Sequence, residues 1–162
     1  GNTLVAETTN FPQSDAFMRR QLGLGKERCF EYGRALAGSR LLFARGLALR
    51  VLQGPAALQG PDSLRETFLE QATAALGFEP PPEAAGLLFR PRLGDGQRFA
   101  GLLLAAAQLE ELADDHDEDW FRNPRAVDQL RSEARQAPDV TCDPRVLTRG
   151  LRALTASLSS KL

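Results

Sequence analysis

The sequence predicts an all-α fold, a bundle of five to six helices with a Pro/Gly-rich connector. Three observations predict it. Apolar residues recur at helical spacing between clear breakers, no segment alternates with period two, and β-branched residues are scarce.

The elements follow in chain order. Residues 1–12, with Thr8-Thr9-Asn10 near their end, lack periodicity and are expected to be a frayed lead-in. Ser14 suits the N-cap of a short helix through Met18 and Leu22, which Gly23 can end. The longest helix is expected over Lys26–Gln53, with Cys29, Gly33, Leu36, Phe43, Leu47 and Val51 on one stripe. Gly54-Pro55 stops it, and Gln59-Gly60-Pro61 extends the break into a loop. Asp62 or Ser63 then caps a helix carrying Leu64, Phe68, Leu69, Ala72 and Leu76, which Gly77 closes as a left-handed residue.

The connector runs from Phe78 to Gly96 and contains Pro80-Pro81-Pro82, Pro91 and Gly94-Asp95-Gly96. Consecutive prolines hold an extended path and donate no backbone hydrogen bond. Phe78, Leu87, Leu88 and Phe89 give the segment something to bury, with a helical turn possible from Glu83 to Leu88. Gln97 to about Asp115 forms the next helix, apolar almost all round in its first turns through Phe99, Leu102, Leu103 and Leu104. Such a helix belongs at the centre of its neighbours. Asn123-Pro124 and Asp143-Pro144 each pair an N-cap with a proline suited to a first turn. They start helices over Arg125–Gln136 and through Val146, Leu147, Leu151 and Leu154.

Composition narrows the function. The 162 residues fit a single helical domain, 1–162, or two small lobes sharing a core. Twenty basic residues against 21 acidic ones give a net charge of −1, without the basic excess of a nucleic-acid binder. The longest apolar run, Phe99 to Ala107, falls far short of the roughly twenty residues that cross a bilayer. No N-terminal stretch has the pattern of a signal peptide, and Cys29 and Cys142 stand far apart without C-x-x-C spacing. Two small hydrophobes in a reducing, cytoplasmic setting are the expectation, although one disulfide is arithmetically possible. Gly1 is a poor natural start and is compatible with a piece excised from a longer protein.

Candidate chemistry is sparse. His116 is the single histidine, so H-E-x-x-H cannot form here; no G-x-S-x-G occurs either. His116 sits in the acidic run Asp114 to Asp119, which lacks the central glycine of a calcium loop and is expected to be a solvated helix end stopping by Asp115. No catalytic residue, metal ligand or cofactor is assigned. Arg40 falls within the stripe of Leu36, Phe43 and Leu47. A charge there must meet a carboxylate, backbone carbonyls or a bound anion. Trp120-Phe121 forms the densest aromatic pair, placed to staple the Asn123-Pro124 start or to face a partner.

Several segments together carry a resemblance: Phe17-Met18-Arg19-Arg20-Gln21-Leu22-Gly23-Leu24, Glu31-Tyr32-Gly33-Arg34, Ser39-Arg40-Leu41-Leu42, Ala107-Gln108-Leu109 and Asp119-Trp120-Phe121-Arg122-Asn123-Pro124. In this order they resemble the C-terminal helical part of zinc metallopeptidases related to thimet oligopeptidase and oligoendopeptidase, over about Asp15 to Leu130. The resemblance implies a zinc-binding lobe upstream, missing or encoded elsewhere. Where that family carries a tyrosine and an arginine near substrate, this chain has Phe99 and Gly101. Phe99 has no phenol to donate to an oxyanion. The expectation is therefore a non-catalytic scaffold or binding domain, with the connector shaping any groove and Arg40, Phe99 and Trp120 as candidate binding residues. Its expected partner is a peptide, a protein or an upstream catalytic-like lobe, with no nucleic acid and no membrane. The rival expectations are the cleft lobe of an active zinc peptidase and a freestanding helical interaction module.

Overall fold

The computed structural model describes residues 15–20, 22–84, 90–117, 120–135 and 143–162, and they are all-α, with no strand among them. Seven α-helices appear among these residues: α1 (Asp15–Arg20), α2 (Lys26–Leu52), α3 (Gly54–Gln59), α4 (Pro61–Leu76), α5 (Asp95–His116), α6 (Pro124–Arg135) and α7 (Pro144–Ser159). A 3₁₀ turn, Trp120–Arg122, precedes α6. None of the described helices is long and apolar enough to cross a membrane. The chain divides into two compact units, one made of the chain up to Ala37 with Ala100–Leu162, the other of Gly38–Phe99.

The Gly38–Phe99 unit is built on a compact apolar cluster. Phe68, Ala72 and Leu76 recur every fourth residue on α4 and join Leu49 of α2 and Ala84 in the core. Phe68 is fully buried, which contributes roughly 2–3 kcal/mol from area removed from water. The end of α4 is closed twice. Gly77 takes the left-handed conformation (φ 81°) and its N–H donates to the Thr73 carbonyl at 2.9 Å. Arg45 then donates from its guanidinium to the Leu76 carbonyl at 3.1 Å. A Cβ on Gly77 would meet only the movable tip of the exposed Arg45 side chain, so it is the left-handed conformation that demands glycine.

Three local expectations are corrected here. The predicted loop after α2 is instead the short helix α3. Gly54-Pro55 ends α2 but a proline is at home in a first turn, and Ala56-Ala57-Leu58-Gln59 propagates readily from it. The cap of α4 is Gly60, with Pro61 as its first residue, so Asp62 and Ser63 lie inside the helix; Ser63 Oγ donates to Gln59 Oε1 at 3.0 Å. Phe43 is 56% exposed despite its place on the α2 stripe. It sits at the stripe's edge, whereas Leu49, well off the stripe, is buried against α4.

Two polar groups are buried in this unit. Asp95 opens α5, two residues before the expected start at Gln97, and its Oδ2 accepts from the Arg92 N–H (2.8 Å) and from Arg50 Nε (3.0 Å). Gln53 is fully buried, and neither end of its amide meets a protein group among the described residues. In the connector, Pro80 and Ala84 are buried while Phe78 is 49% exposed, so the burial falls on smaller residues than expected. Leu87, Leu88, Phe89, most of the turn expected from Glu83, Ser14, the 1–12 lead-in and Cys142 lie outside the described residues.

The other unit is organised by α5. Leu103 and Ala107 are buried on one side, Ala105 and Leu112 on nearly the opposite one, at 100° per residue. This is the central helix its composition predicts. Gly150, Leu154 and Leu158 form the buried stripe of α7, and Ala126 is buried on α6. Met18 is buried on α1, and the buried Cys29 thiol points to the Leu24 carbonyl at 3.5 Å. Both proline-marked starts form as expected: Asn123 Oδ1 accepts from the Arg125 N–H at 3.0 Å, and Asp143 Oδ1 from the Arg145 N–H at 2.8 Å. Helix α5 ends at His116 and not by Asp115, because Asp117 takes up the left-handed turn itself (φ 64°).

Candidate functional site

A helix presents one face per 3.6 residues, and α7 divides its faces sharply. Its apolar stripe is buried, while Arg145, Thr148, Arg149 and Arg152 recur at helical spacing on the exposed side. Together with Pro144 and Glu110 of α5 they line an open groove of about 560 Å³. Its lining carries three guanidinium groups and one carboxylate.

The three arginines are not equivalent. Arg149 Nε donates to Glu110 Oε2 at 3.0 Å and NH1 to Glu111 Oε2 at 3.4 Å. The Glu110 hydrogen bond, helped by the charges of Glu110, Glu111 and Asp114, holds its guanidinium above the ordinary arginine value. Arg149 is therefore a fixed cation, tied between α5 and α7. Arg145 and Arg152 are exposed, and no described carboxylate lies within ion-pair distance of either. The Thr148 hydroxyl donates back to the Pro144 carbonyl at 2.7 Å.

On its buried side, α7 approaches α5 backbone to backbone. A Cβ on Gly150 would collide with the Leu103 carbonyl oxygen, so α7 rests directly on α5 where the side chain is absent.

On its α6 side, α5 makes a chain of polar contacts instead. His116 Nε2 meets Gln129 Oε1 at 2.8 Å, and Gln129 Nε2 donates to Glu133 Oε1 at 3.0 Å. Gln108 Nε2 donates to the other oxygen of Glu133. Asn123 Nδ2 meets His116 Nδ1 at 3.4 Å. All five residues are half-buried. The solvated helix end expected for the acidic run holds for the exposed Asp114, Asp115 and Asp117 and is corrected for His116, whose ring is engaged on both nitrogens. Among the described residues no cluster of three His, Cys, Asp or Glu side chains could hold a metal ion; Glu118 and Asp119 of the acidic run lie outside them.

The residues singled out from sequence fall elsewhere. Arg40 on α2 and Phe99 on α5 belong to the Gly38–Phe99 unit, and Trp120, on the 3₁₀ turn, belongs to the other. All three are half-buried, and Arg40 and Trp120 are both engaged in polar or ring contacts. None of them lines the groove, and neither does any described residue of the Phe78–Gly96 connector. The arginines Arg145, Arg149 and Arg152 were the missed residues. Their i, i+4, i+7 spacing on an amphipathic segment was the available signal, but it does not say which side the rest of the chain leaves open. A scan against protein-family models, a search of curated proteins and a search of solved structures each find no match for this chain.

Proposed function

We propose that this chain is a non-catalytic helical binding domain whose α7 groove receives an acidic segment of a partner protein. The observation that carries the proposal is the pair Arg145 and Arg152, two exposed cations at the rim of one groove with no described carboxylate beside them. Seven helical residues set their Cα atoms about 10.5 Å apart. A partner helix with acidic residues at i and i+7 matches that separation. Arg149, already neutralised by Glu110 and Glu111, supplies a fixed spacer between the two recognition points.

The likeness to the C-terminal lobe of the zinc metallopeptidases belongs to the same proposal. A lobe of that kind lines a cleft, and its partner here would be a peptide, a protein or an upstream catalytic-like lobe. A cytoplasmic setting is part of the proposal too. The single histidine supports the non-catalytic side of the reading, since its two ring nitrogens are both occupied by amide side chains.

Fluorescence anisotropy of a labelled helical peptide carrying glutamates at i and i+7 tests the groove. Micromolar binding is expected, weakening as salt screens the rim charges. The double variant Arg145→Glu/Arg152→Glu should lower affinity roughly tenfold or more, and a peptide with lysines in place of the glutamates should not bind. Binding that survives the double variant but disappears in Arg40→Leu would move the site to α2 and defeat the groove assignment.

A further inference from the structure

We infer that His116 is locked as the neutral Nε2–H tautomer and that protonating it releases the N-terminal cap of α6. The hydrogen-bond polarity of its two neighbours leads to this. A carboxylate only accepts, so Gln129 must turn its NH₂ to Glu133 and its carbonyl oxygen to the ring (3.0 and 2.8 Å). His116 Nε2 therefore donates and carries the hydrogen. A backbone N–H only donates, so Asn123 must turn its oxygen to Arg125 and its NH₂ to the ring (3.0 and 3.4 Å). His116 Nδ1 therefore accepts and carries none. The two amides are oriented by partners on opposite sides of the ring, and each leaves it the same tautomer.

A second proton on the ring goes to Nδ1 and points an N–H at the NH₂ of Asn123. Two donors then face each other. Turning the Asn123 oxygen to the ring restores a hydrogen bond there and withdraws the acceptor that caps α6. A hydrogen bond from the imidazolium to Asn123 and the cap exclude one another in this geometry. Ring protonation thus becomes an event at the start of a helix whose far side, through Glu133, also holds Gln108 of α5. The charged groups that accompany the ring are Asp114, Asp115 and Asp117 along its own segment, Arg122 on the turn before Asn123, Arg125 behind Asn123, and Glu133 behind Gln129. The device is a donor–acceptor mismatch, and it acts whatever balance of charge those groups set.

The chain's single histidine makes the experiment direct, because every imidazole signal is His116. Nitrogen-15 NMR of the labelled chain should show the neutral ring with Nε2 protonated and Nδ1 bare. As the ring signals report protonation, the Arg125 amide should move on the same curve and its hydrogen exchange, corrected for the intrinsic effect of pH, should rise roughly five- to tenfold, the worth of one cap. In Asn123→Ser the hydroxyl caps α6 and the NH₂ is gone, so the Arg125 amide should no longer follow the ring. A neutral Nδ1–H tautomer in the unaltered chain would overturn the inference. So would an Arg125 amide that stays protected beside a fully protonated ring, or one that follows the ring equally in Asn123→Ser.

Discussion

Helix α5 meets α7 by subtraction and α6 by addition. Against α7 it relies on a missing side chain: Gly150 lets the Leu103 carbonyl approach to where a Cβ would sit. Against α6 it relies on four polar contacts among five side chains whose donors and acceptors must match from Asn123 to Gln108. The first seam is steric and tolerates no added atom. The second is directional, and its members are half-buried, so water can replace part of what a substitution removes. Energetic cost should follow that difference.

Gly150→Ala should be the most damaging change. The new methyl collides with backbone, which cannot rotate away, and about 3 kcal/mol or more of stability should go. In a chain of this length that is a fall in Tm on the order of 10 °C, measurable by calorimetry. A variant as stable as the parent would show that the two helices do not touch at Gly150. Glu133→Ala comes next, because it strips an acceptor from both Gln108 and Gln129. Urea unfolding should register a loss of about 1–2 kcal/mol. Asn123→Ala removes the cap and the long contact to His116 Nδ1 and should cost about 1 kcal/mol, nearly all of it the cap, with early exchange of the first-turn amides of α6. Arg149→Ala sits at the bottom of the order. Its ion pairs with Glu110 and Glu111 are exposed, so Tm should scarcely change, and the small change there is should vanish in high salt. Should Arg149→Ala outweigh Gly150→Ala, the α5–α7 seam would be electrostatic and the contrast drawn here would be inverted.

What could be read from the sequence was whatever is decided within one turn of chain. Asn123-Pro124, Asp143-Pro144 and Gly77 mark helix ends by chemistry confined to a few neighbours, and each does so in the structure. The central position of α5 was also legible, since a helix apolar almost all round in its first turns has little choice. The short helix Gly54–Gln59 was missed because Gly-Pro signals an end and a beginning alike. Phe43 was misplaced because a stripe's edge depends on where the neighbouring helix stops covering it. The groove and the His116 chain were hidden for a different reason. Their defining contacts reach across as many as 25 and 39 positions, and nothing local to Arg149 names Glu110, or to Glu133 names Gln108. Arg40, conspicuous on a helical wheel, is half-buried and engaged, and the wheel alone does not say with what.

The arrangement at the end of α4 has an evolutionary corollary. Gly77 and Arg45 occupy adjoining space and close the same turn. The two positions are held unequally: the left-handed backbone at 77 penalises any side chain, whereas an arginine tip can step aside and a shorter residue at 45 leaves the Leu76 carbonyl one donor short. Descendants of this chain should therefore keep glycine at 77 even where 45 has changed.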